Sequence, residues 1–189
     1  SKETSFAFTK AYESVYRIEM TNFANTFATV ARRAIEAGKS ESEALASAYE
    51  RIAGQYGDYS FSTDRKVAKT MMKHYRDIAS PEYYLKNIPV DFATVDIDAY
   101  VDEVYDNSVF CSAEALKAAI EEKGTAVLDD PAATLGKSVY TECLNLQTLS
   151  NAATPEDYNK SKTAYTAGLL EWKDGEPSYP DANSTMRLT

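Results

Sequence analysis

A chain of 189 residues suits one domain, or a domain and a half, and is long enough to bury one substantial core. Its composition, 44% hydrophobic and 26% charged, is neither disordered nor membranous, and seven glycines and six prolines are few for a turn-rich all-β protein. A net charge of −9, with cations scattered apart from the pairs Arg32-Arg33 and Arg65-Lys66, excludes a surface made to track phosphates.

The first segment, about Thr4 to Ala37, places Phe8, Tyr12, Val15, Tyr16, Met20, Phe23, Phe27, Val30 and Ala34 at steps of three and four, one helix face. Gly38 supplies the stop. Unbroken, this helix is ~50 Å long. A compact globule of this size is only about 40 Å across. The body is therefore elongated or the helix kinks, and the weak helix formers Thr21, Asn22, Asn25 and Thr26 are the expected break.

Ser40 with Glu43 forms a capping box for a second helix through Leu45, Ala48 and Ile52, ending near Gly54. A turn at Gly57-Asp58-Tyr59-Ser60 precedes a third helix that starts after Ser62 or Thr63. That helix has Val67, Met71, Tyr75 and Ile78 on one stripe and is stopped by Ser80-Pro81. Residues 81–95 are ambiguous, with a helical turn through Tyr83-Tyr84-Leu85 and an extended piece at Pro89-Val90. Asp96 and Ser112 cap two further helices, the second closed by Gly124. Asp130-Pro131 and Thr154-Pro155 each pair an N-cap with proline at the first helical position. The helices they open run through Leu135, Val139, Cys143 and Leu146, and through Tyr158, Lys162, Tyr165, Leu169 and Trp172. The fold expected is all-α, an elongated bundle of about six to eight helices with a C-terminal extended strand segment. No segment recurs at a fixed period, so a superhelical repeat array is not expected.

Residue patterns that carry chemistry are few. His74 is the sole histidine, one position off an apolar stripe, and no serine sits in a Gly-x-Ser-x-Gly elbow. Glutamates are missing where a Glu-x-x-His metal pair with His74 needs them, as Thr70 and Met71 show. Asp96 and Asp98 lack the glycine and closing glutamate of a calcium loop. With Asp102 they read instead as a favourable acidic first turn. Glu121-Glu122 and Asp129-Asp130 read as solvated caps at helix ends, not as a catalytic carboxylate pair. Cys111 and Cys143 have no metal spacing; they read as buried thiols, with a disulfide open to them in an oxidising compartment. There is no dinucleotide fingerprint or phosphate loop, and no apolar run approaches the ~20 residues of a membrane span. The expected catalytic, metal-binding and cofactor-binding residues are therefore none. Fourteen tyrosines stand out. Tyr12, Tyr16, Tyr75, Tyr105, Tyr158 and Tyr165 fall on apolar stripes and read as core; Tyr59 with Phe61, and Tyr83 with Tyr84, are alternatives for lining a cleft.

The ending changes character. After Lys173-Asp174-Gly175-Glu176-Pro177, residues 179–189 open as turn chemistry and end in alternation, with Thr185, Arg187 and Thr189 on one side and Met186 and Leu188 on the other. A lone strand needs a sheet elsewhere to pair its backbone. Together with a start lacking methionine, this makes an excised piece of a larger protein the expectation.

The stretch Tyr179-Pro180-Asp181-Ala182-Asn183-Ser184-Thr185-Met186-Arg187-Leu188-Thr189 resembles a segment of the bacterial dipeptidyl-peptidase 7 and 11 family, serine exopeptidases with a chymotrypsin-type double β-barrel and a large inserted helical domain. Leu169-Leu170-Glu171-Trp172 before a loop, and Tyr16-Arg17-Ile18-Glu19-Met20 in an early helix, are similar in placement. The resemblance implies a helical cap domain at 1–178, with Tyr179, Pro180, Asp181, Asn183 and Arg187 in the return to a barrel beginning at 179–189. It implies that the catalytic triad lies elsewhere in the parent, and so do the groups that hold the substrate's amino terminus. The implied partners are that barrel and a peptide substrate, with a homodimer as one arrangement of the parent. No cofactor, nucleic acid or membrane span is implied. The implied location is the periplasm or cell surface of a Gram-negative bacterium. The other reading of the residues is a stand-alone helical module that binds a peptide or protein in an apolar groove lined by residues 81–95 and the tyrosine doublets. A ferritin-like metal bundle fails on ligand count.

Overall fold

The computed structural model describes residues 2–152 and 157–172. Among them every regular element is helical. There are eight α-helices: α1 (Lys2–Glu13), α2 (Glu19–Glu36), α3 (Glu41–Ala53), α4 (Phe61–Ile78), α5 (Ile97–Asp106), α6 (Ala113–Lys123), α7 (Pro131–Ala152) and α8 (Tyr158–Trp172). Short 3-10 segments join several of them. The expected all-α class is met. The expected strand, the boundary at 178/179 and the Thr154-Pro155 cap lie outside the described residues.

The long first helix is broken, but not where weak helix formers predict. A 3-10 turn at Val15–Arg17 separates α1 from α2, ahead of Thr21 and Asn22. Two helices of 12 and 18 residues thus replace the ~50 Å rod on which the expectation of elongation rested. Thr21, Asn22 and Thr26 stay helical on a segment whose inner face is buried, and their side chains bond locally: the two threonine hydroxyls donate to the carbonyls of Ile18 and Asn22, and the Asn22 amide donates to Tyr16.

α4 begins at Phe61 behind Ser60, ahead of the expected start after Ser62 or Thr63, whereas the signals at Gly38 and Ser40 act as read. At Gly38, φ is +89°, and the Gly38 and Lys39 amides return to the carbonyls of Ile35 and Ala34, a Schellman close. Both halves of the Ser40–Glu43 capping box are made. α3 then packs extensively along α2. The α2 stripe Met20, Phe23, Ala24, Phe27, Ala28 and Ala31 is buried; Phe27 meets Phe110 edge-on, ring centroids 5.5 Å apart. A fully buried side chain of this size contributes on the order of 2 kcal/mol.

The buried face of α4 keeps Tyr75 from the expected stripe but elsewhere falls one residue later, at Ala68 and Met72 in place of Val67 and Met71. Asp64, Ala68, Met72 and Tyr75 point inward, and Val67 is exposed. A carboxylate on the inner face hid this register from a hydrophobic reading. The outer face carries Arg65, Lys69 and Lys73, which meet Asp106, Asp102 and Asp98 of α5 in descending order, so the two helices run antiparallel. Two guanidinium bonds from Arg65 to Asp106, at 2.6 and 3.0 Å, give the ladder one bidentate rung.

Residues 81–95 carry a 3-10 turn at Pro81–Tyr83, two residues before the expected turn. The segment is pinned to its neighbours. The Tyr75 and Tyr84 hydroxyls donate to the carbonyls of Tyr83 and Arg76, Arg76 donates to Val95 and Ser138 to Lys86. α8 carries Tyr158 and Tyr165 exposed (51% and 69%), which corrects their assignment to a core stripe.

α7 approaches α2 at Gly136. A Cβ built there would lie 2.0 Å from the Thr21 carbonyl oxygen and 2.9 Å from the Asn25 Cβ. Gly-to-Ala normally strengthens a helix by about 1 kcal/mol. Here Gly136→Ala must push two backbones apart, and a net loss of about 1–3 kcal/mol is expected in urea unfolding. An unchanged or higher midpoint would show that the two helices do not pack this closely.

Candidate functional site

The break between α1 and α2 is built by a residue from a distant helix. Ser14 donates back to the Lys10 carbonyl, and Ile18, at the N-cap of α2, has no side-chain oxygen to offer. The orphan amides of Glu19 and Met20 donate instead to the Asp64 carboxylate of α4, at 3.0 and 3.1 Å. Its Oδ2 also accepts the Tyr105 hydroxyl of α5 at 2.6 Å and the Tyr59 hydroxyl at 3.4 Å. Asp64 is 4% exposed, and among the described residues it forms no ion pair. Four donors and the positive end of α2 replace the water it lost. Burial first, and the Asp64 charge second, raise both tyrosine phenols, so they remain protonated donors. The same two causes, in the same order, raise the Glu19 carboxyl.

Above this cap lies a cleft of about 430 Å³ lined by Tyr16, Arg17, Glu19, Asn22, Phe23 and Gln55. The stretch Tyr16 to Met20, singled out in the sequence for its resemblance, thus sits at the break and contributes three of these six residues. Phe23 forms the apolar wall, edge-on to Tyr56 and Tyr59 at 5.1 Å. Arg17 lies 4.5 Å from the Tyr12 ring centroid and 3.9 Å from Glu13. The lining offers a guanidinium, a carboxylate and two amides, a set suited to holding a polar chain.

The residues weighed for chemistry in the sequence, and read there as caps and surface groups, lie apart in the structure. His74 is exposed on α4. Asp96 caps α5 through the amides of Asp98 and Ala99, Asp98 pairs with Lys73, and Asp102 pairs with Arg65 and Lys69. Among the described residues no three metal-ligating side chains converge. Glu121 and Glu122 are exposed. Asp129 and Asp130 part company. Asp129 meets Arg32 at 2.7 Å, whereas Asp130 is 6% exposed and accepts from Ala132, Val109 and the Ser108 hydroxyl. Asp130 is thus a cap, as read, but not a solvated one; burial raises its carboxyl.

Cys143 is buried, Cys111 is half-buried, and both are free thiols. Tyr59 packs on Phe23 and Tyr56, and Tyr84 on Phe92, so these rings serve the core. Pro89 and Val90 do border a separate cleft of about 500 Å³ with Tyr100 and Val104, without the tyrosine doublets. The re-entry residues Tyr179, Pro180, Asp181, Asn183 and Arg187 lie outside the described residues. Sequence reasoning missed Asp64 because its signal is a spacing of 45 residues, invisible to any local pattern.

These features define an all-α domain organised on a buried carboxylate cap, with a polar cleft at a helix break. The family model for peptidase S46 matches residues 2–189, and the chain belongs to that family. It is similar to the Asp/Glu-specific dipeptidyl-peptidase of Porphyromonas gingivalis, 31% identical over 162 residues, which is 81% of this chain and 21% of that protein. It is also similar to dipeptidyl-peptidase 7 of Phocaeicola vulgatus, 33% identical over 139 residues, covering 70% of this chain and 19% of that protein. With dipeptidyl-peptidase 7 of P. gingivalis the identity is 30% over 186 residues, 91% of this chain and 24% of that protein. The matches span about a fifth to a quarter of these relatives' length. No helix among the described residues is long and apolar enough to cross a membrane.

Two outcomes are expected. Asp64→Asn turns an amide toward four donors, and unfolding in urea should show a loss of about 2–3 kcal/mol with faster hydrogen exchange at the Glu19 and Met20 amides; Tyr105→Phe should lose about 1 kcal/mol. A variant as stable as wild type would show that the carboxylate does not hold the break. Burial pushes the Cys143 thiol up to about 12. Iodoacetamide at pH 8 should therefore leave Cys143 unmodified in the folded chain and alkylate it in urea, whereas modification under native conditions would contradict its burial.

Proposed function

We propose that this chain is the non-catalytic helical cap of a serine dipeptidyl-peptidase, a domain that limits access to a cleft whose reactive groups lie elsewhere in the polypeptide. The observation that carries the reading is the position of His74. It is the chain's only histidine, exposed on α4, and an acyl-transfer triad needs a histidine held between a nucleophile and a carboxylate. The relatives are dipeptidyl-peptidases about four times as long, which leaves ample chain for a catalytic domain.

On this reading residues 179–189 begin the return into a β-barrel, and the parent removes dipeptides from the free amino end of oligopeptides. The helical body blocks chains that extend past the scissile region. Closure about a hinge follows from that role, since a cap must admit substrate and release product. Following the family resemblance, the parent works in the periplasm or at the surface of a Gram-negative cell. The stand-alone binding module loses its main support, because the tyrosines meant to line its groove pack inward.

The test assays the 189-residue chain and the full-length polypeptide on dipeptidyl-naphthylamides and on peptides of increasing length. The chain alone should be inert. The full polypeptide should release dipeptides, and replacing residues 1–178 by a short linker should relax its discrimination against long peptides. Turnover by the chain alone, or full-length protein inert on every dipeptide substrate, would refute the reading.

A further inference from the structure

The acidic groove between α3 and α6 has no part in the reading above. It encloses about 680 Å³, with Leu45, Tyr49 and Ile120 on its floor and Glu41, Glu50 and Glu121 on its rim. Leu45 is buried, Tyr49 and Ile120 are half-buried, and the three glutamates are exposed. Lys117 is the one cation in the lining, and neither it nor the three glutamates forms an ion pair among the described residues. The contrast with α5 is informative. There each of Asp98, Asp102 and Asp106 is met by a cation from α4. At the groove an apolar floor is ringed by three carboxylates against one ammonium, a surplus of two negative charges left uncompensated.

We infer that this groove is the seat of a segment from the remainder of the same polypeptide, one that lays an apolar side chain on Leu45, Tyr49 and Ile120 and brings two cationic side chains to the glutamate rim. The matched relatives are about four times as long as this chain, so most of the polypeptide is available to supply it. Apolar contact supplies the attraction, and opposite charge at the rim fixes register and rejects acidic segments. The inference rests on the chain being part of a longer protein, not on the cap role.

The full-length polypeptide, mixed as equal unlabelled and ¹⁵N-labelled copies, is treated with a carbodiimide, which joins carboxylates to lysines in direct contact. The expected result is Glu41, Glu50 or Glu121 joined to a lysine outside residues 1–189 of the same copy. In the triple variant E41Q/E50Q/E121Q, amide exchange along α3 and α6 should rise several-fold. Links only between copies would replace the inference with a self-association surface. Links confined to residues 1–189, or no links together with exchange unaffected by the triple substitution, would overturn it. Dipeptide release by the same wild-type sample, measured alongside, separates failure of this inference from failure of the cap reading.

Discussion

A carboxylate without a cation holds the amino-terminal half of this domain together. Asp64 sits out of water and survives there as an acceptor because two helix amides and two tyrosine hydroxyls converge on it. Each of those donors belongs to a different problem of the fold. The Glu19 and Met20 amides begin α2, the Tyr105 hydroxyl ties α5 to α4, and Tyr59 closes the turn before α4. A charged group that loses water must find several partners at once, so its position constrains all of them. The register of α4, the direction of α2 and the existence of a break between α1 and α2 follow from one side chain.

Asp130 repeats the device at the start of α7, with a difference that matters. It caps its own helix and also draws in Val109 and Ser108 from the preceding turn. In both cases a carboxylate is placed against the positive end of a helix, where the dipole favours it. The remaining acids divide into those the domain neutralises itself, as in the α4–α5 ladder, and those it leaves exposed, as on the α3–α6 rim. That division separates charges that build the domain from charges available to a partner.

The chain belongs to the peptidase S46 family, and its buried carboxylates Asp64 and Asp130 serve as helix caps. The cleft at the α1–α2 break offers groups that hold a polar chain. The nearest strong acceptor, Asp64, is buried and already takes four donors.

Local signals in the sequence determined the helical class and most helix ends. The Ser40–Glu43 box, the glycine at 38, Asp96, Ser112, Gly124 and Asp130-Pro131 all act where they stand, because each cap involves groups within a few residues of one another. The apolar stripes of α2, α5 and α7 were legible for the same reason, since helical period is a short-range property. Tertiary structure alone decided the break before α2, the face of α4, the burial of Asp130 and the meeting of α2 with α7 at Gly136. These depend on groups 20 to 115 residues apart in the chain, as with Glu19 and Asp64 or Thr21 and Gly136. A buried carboxylate looks like any surface acid until its donors are brought to it, and a glycine in a helix looks like a weakness until another backbone occupies the space its side chain would fill.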